Sequence, residues 1–173
     1  MVNNKKGGFL ATEHLLNKKN SEVFFFTGPL TINTYFERMS GYIEALKNHG
    51  YEYNENLIIN CDVNYNGGIE AVEKLLKDKI QFNSIFAAND LIALGAMKAI
   101  LKSGLKIPDD VSIIGYDDIS TSSIVNPSLT TIRQPTYTMG VKAAGLILNQ
   151  LNNRPIENKH ILLDPELIVR ETT

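Results

Sequence analysis

The 173-residue chain has no tryptophan, a single cysteine and no block of basic residues. The lone Cys61 excludes an internal disulfide framework and suits a reducing compartment. Lys and Arg number 17 against 19 Asp and Glu, a formal net charge of −2. Lys5-Lys6 and Lys18-Lys19 are isolated pairs, so this stretch carries no electrostatic footprint for nucleic acid. No apolar run is long enough to span a bilayer, and the opening MVNNKKGG has no apolar signal-peptide core. These absences predict a cytoplasmic protein that does not enter membranes. Catalytic signatures are missing too. There is no G-x-x-x-x-G-K-[ST] loop, no G-x-G-x-x-G, no paired-cysteine zinc spacing and no G-x-S-x-G elbow. His14, His49 and His160 lack metal-ligand spacing, and no nucleophile has a base beside it in sequence. The expectation is a non-enzyme with no cofactor and no metal.

What is present is ordinary for a globular domain: 43% apolar and 21% charged residues. Short apolar runs alternate with segments of helical periodicity. Residues 7–18 read as a helix started by Asn4 or the glycine pair, 21–27 as a strand, and about 33–49 as a helix stopped by Gly50. A strand at 57–61, a helix opened by Asn66-Gly67-Gly68, and a strand at 84–88 follow. Asn89-Asp90 then caps a dense apolar helix that runs to Ser103. A strand at 111–116, another at 128–132, and a helix over 135–152 with Pro135 in its first turn come next. Short edge strands at 161–163 and 166–169 close the chain. This alternation predicts an α/β fold with a three-layer parallel sheet. A chain of this class that opens on a helix leaves the apolar stripe of 7–18 with one nearby strand, which predicts further sequence before residue 1.

The segment DVSIIGYDDI, 110–119, is an apolar strand that stops in two carboxylates. Ligands of open parallel sheets bind at the carboxyl ends of the strands. Candidate groups at such ends are Arg38 with Thr34 one turn before it, Asn89, Asp117 and Gln134. A guanidinium fork, a carboxylate and an amide together suit the vicinal hydroxyls of a neutral polyol. Each also has an ordinary reading. Arg38 alone would be an exposed helix residue with its stem on Phe36 or Tyr42. Asn89 is accounted for as a helix cap, Gln134 as hinge chemistry, and Asp118 as a cap of the following turn. Tyr35, Phe36, Met39 and Tyr42 fit core positions as well as a stacking platform.

Five blocks in order resemble the effector-binding core of LacI/GalR-type bacterial transcriptional regulators. They are GFLATEHLL (8–16), RMSGY (38–42) as R-x-x-G-[FY], FAAND with ALGAM (86–97), GLKIPDDVSIIGYDDI (104–119), and PSLTTIRQP (127–135). The resemblance implies a periplasmic-binding-protein-like type I fold and a small sugar effector held between two subdomains. It implies Arg38 and Asp117 as the main clamp, with Thr34, Asn89 and Gln134 as further contacts. Val63 departs from the pattern, standing where many members place a stacking aromatic. The resemblance assigns 1–28 and 135–152 to a remnant of the N-terminal effector subdomain. It assigns 30–132 and 155–173 to the C-terminal one. A helix-turn-helix domain outside this chain would bind operator DNA, and a homodimer is expected. The turn Gly28-Pro29-Leu30 and the segment NYNGG (64–68) look like ribose-type repressors, pointing to a pentose; Thr31-Ile32 lacks the arginine expected for a purine. Two alternatives remain: a periplasmic-type sugar-binding protein and a receiver-like phosphoacceptor domain. The second would need another acid near the first strand and a late lysine.

Overall fold

A computed structural model describes residues 1–18, 22–152, 154–155 and 160–173. Its elements are α1 (Asn4–Asn17), β1 (Phe24–Thr27), α2 (Asn33–Asn48), β2 (Ile58–Asn60), α3 (Tyr65–Lys77) and β3 (Ser84–Ala87). They continue with α4 (Asp90–Lys102), β4 (Ser112–Asp117), β5 (Thr130–Arg133), α5 (Thr136–Leu151) and β6 (Glu166–Ile168). The strands form one sheet in the order β2-β1-β3-β4-β5-β6. All pairings are parallel except β5–β6. The chain leaves β1 for the edge at β2 and returns to the other side of β1 at β3, which creates a switch point where α/β sheets open for ligands.

Side-chain alternation on buried strands divides the core into two layers. Phe24, Phe26, Ile85 and Ile113 join Val72, Leu75, Ile92 and Ile100 of α3 and α4 on one face. Phe25, Phe86, Ile114 and Tyr116 join Leu15 and Leu16 of α1 and Tyr42 and Leu46 of α2 on the other. Phe25 stacks on Phe86 at 4.8 Å and on Tyr42 at 5.5 Å between ring centroids.

The structure revises several boundaries. The α1 helix begins three residues earlier than its apolar stripe suggests, because the Asn3 side chain accepts the Lys6 N–H at 3.1 Å. Its glycines lie inside it for packing. A Cβ on Gly8 would run into the Arg38 carbonyl, and one on Gly41 into that of Lys5, so the two helices cross backbone to backbone. Asn64, not the Asn66-Gly67-Gly68 run, caps α3. Pro135 stands at the N-cap of α5 rather than in its first turn. The expected strand at 161–163 is reduced to a single bridge between Leu163 and Val2. Ser21, expected to open a strand, lies outside the described residues.

The division at residues 28–30 is not where the sheet divides. The β1 strand pairs with both β2 and β3, and α1 lies along α2. The described part of 1–28 is thus built into the same body as 30–132, since the apolar stripe of α1 finds its cover on α2 and on the sheet. By contrast α5 buries no residue. Tyr137, Val141, Ile147, Leu148 and Leu151 of α5 are all exposed.

Candidate functional site

The site forms where β1, β3, β4 and β5 end. Arg38, in the second turn of α2, is 3% exposed, not the surface residue that its sequence position allows. Its Nε donates to Asn4 Oδ1 at 3.0 Å, and its Nη1 donates to the Ala88 carbonyl at the end of β3. The guanidinium carbon lies 3.5 Å from the centroid of the Tyr116 ring, a cation–π contact in a desolvated place. Nη2 faces Asp117 Oδ1 at 3.6 Å. Gln134, one residue past β5, donates from Nε2 to the same Asp117 oxygen at 2.5 Å. Burial pushes the Asp117 carboxyl above its ordinary 3.8, against the pull of Arg38 and Gln134.

Thr34, Arg38 and Gln134 line one recess of about 360 Å³ together with Asn4, Asn33, Glu37 and Met139. Asp117 borders this set through its contacts to Arg38 and Gln134. Asn89 is one peptide away, at the residue after the carbonyl that Arg38 holds; its Oδ1 accepts the Ile92 N–H at 2.8 Å and so caps α4. Val63 and the Tyr35 ring flank Gly28. An aromatic is thus present at the corner where Val63 leaves one missing, supplied from α2. A wider groove of about 750 Å³ runs along β2 and α3, past Asp62, Glu70 and Lys74. Cys61 lies on that groove, and burial pushes its thiol up to about 11.

Asp118 does not cap a turn. It is held between Arg133 Nε at 2.6 Å and Arg170 Nη2 at 2.7 Å. Burial opposes ionisation there, but the two guanidinium groups together hold its carboxyl below the ordinary range. Asp117 and Asp118 have φ of 118° and 54°. Two consecutive non-glycine residues in that region cost about 1–3 kcal/mol each, so surrounding bonds must over-determine the corner.

Local periodicity did not reveal Asn4, which sits 34 residues from the arginine it orients. Tyr116 was legible: alternation along β4 places it on the same face as Ile114, beneath α2. Arg170 follows the last strand, with no local signal pointing to Asp118. Among the described residues no cluster of His, Cys, Asp and Glu could hold a metal, and no helix is long and apolar enough to cross a membrane.

Residues 12–173 match the model of the periplasmic binding protein-like domain. The ribose operon repressor of Escherichia coli K12 is 32% identical over 97% of this chain and 51% of its own length. The HTH-type transcriptional repressor PurR of Pasteurella multocida is 34% identical over 96% of this chain and 50% of its own. The solved CelR–cellobiose complex superposes with a TM-score of 0.92 at 33% identity, covering 99% of this chain and 53% of that one. A LacI-family regulator from Enterococcus faecalis V583 with bound ribose superposes at 0.87 and 31% identity, covering 99% and 61%. The chain spans about half the length of the curated relatives it matches. The match over residues 12–173 places the chain in the periplasmic binding protein-like domain family, and the relatives it resembles are LacI-type transcriptional regulators.

Proposed function

We propose that this chain is the effector-sensing part of a LacI-type repressor, and that Arg38, Asp117, Gln134, Thr34 and Asn89 hold the hydroxyls of a small sugar. The observation that carries this is the Arg38–Asp117–Gln134 set. An always-charged fork, a carboxylate acceptor and an amide meet at the switch-point end of the sheet. The chemistry this set supplies is reversible binding of hydroxyls, which suits a sensory role. Two solved relatives are a cellobiose complex and a ribose-bound regulator. A pentose is the narrower reading, favoured by the ribose-bound relative and the ribose operon repressor.

The unburied α5 would pack on a second subdomain, closing the cleft over the recess. Operator DNA would be read by a region beyond these 173 residues, consistent with relatives twice as long. Leu91 and Leu101 of α4 and Ile124 are exposed apolar side chains. A homodimer in the cytoplasm would give a pair of DNA-reading regions whose spacing an effector can alter. Calorimetric titration with ribose, cellobiose and a purine base tests the effector. One sugar binds, and Asp117→Ala abolishes its heat. Binding of the purine alone, or of none of the three, overturns the sugar reading.

A further inference from the structure

Asp90 takes no part in the ligand set above, yet it is 1% exposed. It occupies the first turn of α4, where a carboxylate commonly bonds the helix's own amides. That task belongs to Asn89 here. All the donors to Asp90 come from elsewhere. Its Oδ2 accepts the Ile119 N–H at 2.9 Å and the Ser122 hydroxyl at 2.7 Å, and its Oδ1 accepts the Thr131 hydroxyl at 2.5 Å. Thr131 Oγ1 in turn accepts the Asp118 N–H at 3.4 Å. The amides of both residues that follow Asp117 thus terminate, directly or through Thr131, on one carboxylate. Room for it is made by Gly115, since a Cβ there would overlap Asp90 Oδ1.

We infer that Asp90 is a positioning residue that ties the start of α4 to the left-handed Asp117–Asp118 corner and to β5, and so sets where the Asp117 carboxylate faces Arg38. The inference rests on the sugar-site reading for its functional consequence but not for its geometry. The Asp117 side chain is met by Gln134 and Arg38, which are the groups a ligand would engage. Its backbone is the last of β4 to pair with β5, opposite Arg133, so the course of the corner beyond that pair depends on bonds made one and two residues later. Asp118 is held from outside by Arg133 and Arg170, and Asp90 grips the same corner from within. Because Asn89 and Asp90 are adjacent in sequence, the cap that orients the Asn89 amide and the carboxylate that orients Asp117 move as one unit.

Two readouts separate this from general support of the core. In the unliganded protein, Asp90→Asn and the milder Thr131→Val should speed amide hydrogen exchange selectively at Asp118 and Ile119. Leu75→Ala, a cavity in the α3 core, should not single those amides out. The same two variants should weaken ribose binding by about tenfold or more while unfolding stays cooperative; Leu75→Ala should leave affinity within about twofold. Unchanged exchange at 118 and 119, or faster exchange with ribose affinity intact, overturns the inference. If Asp90→Asn does not fold, Thr131→Val decides, since it removes one hydroxyl at constant shape. Faster exchange at 118 and 119 in a protein that binds no ribose supports the positioning role and counts against the pentose reading alone.

Discussion

Arg38 Nη2 and Asp117 Oδ1 face one another across 3.6 Å, beyond hydrogen-bond length but within ion-pair range. The other groups of the guanidinium are engaged by Asn4, Ala88 and the Tyr116 ring. Asp117 is engaged by Gln134. The pair is therefore held in place by its neighbours rather than by its own contact, which leaves room for a hydroxyl to bridge it.

Asp117→Gly should separate binding from stability. The substitution removes the carboxylate and places glycine at φ 118°, where the native residue is strained. Urea unfolding should show a gain of about 1 kcal/mol, or at least no loss, while sugar binding disappears. A clear loss of stability would mean that the Gln134 bond outweighs the strain.

Arg38→Met should do the reverse in stability while also abolishing binding. It keeps an unbranched buried stem but takes the guanidinium off the Tyr116 ring, strands the Ala88 carbonyl and leaves Asp117 without its cation. Breaking a buried pair in this way costs about 3 kcal/mol. Chemical denaturation of the variant checks the size of the loss.

Gly8→Ala should act on the site without touching it. The added methyl meets the Arg38 carbonyl across the α1–α2 crossing, so α2 must shift and carry the guanidinium with it. A cost of about 1–3 kcal/mol is expected, with a weaker response to sugar; thermal unfolding with and without ligand measures both.

The dependence on pH has a defined sign. The Asp118 carboxyl is held below its ordinary 3.8. Its stabilising contribution is therefore present above 3.8 and is lost as pH falls through the lower folded value. Unfolding of the protein and of Asp118→Asn from neutral to acid pH should show the variant less stable at neutrality, with the gap closing in acid. Asp117 moves the other way. Its carboxyl is raised above 3.8, so sugar affinity should begin to fall on acidification before ordinary carboxylates titrate. An affinity that holds down to pH 3.8 would mean either that the Asp117 carboxyl is not raised or that it takes no part in binding.

The sequence alone determined the class of the fold and named most of the residues that meet at the candidate site. Alternating short apolar runs and capped helical segments leave a buried parallel sheet as the consistent arrangement, and Asn89 caps α4 as its position predicts. Asp117 and Gln134 could be named because strand ends are where a parallel sheet presents polar groups to a ligand, and Arg38 through the R-x-x-G-[FY] resemblance. Tertiary structure decided what depends on partners distant in sequence. It set β1 beside β3 and α1 along α2, where periodicity shows only that a face is apolar and not what covers it. It buried Arg38 under Asn4, turned Asp118 from an expected cap into the centre of an ion-pair cluster, and directed Asp90 away from its own helix. An acid after a strand and an acid at a helix start look alike in sequence. What distinguishes a ligand acceptor from an anchor is which donors the fold brings to each carboxylate. At Asp117 those donors are the Gln134 amide and the Arg38 guanidinium, which the proposed sugar would engage, and at Asp90 they are the backbone and side chains of the corner itself.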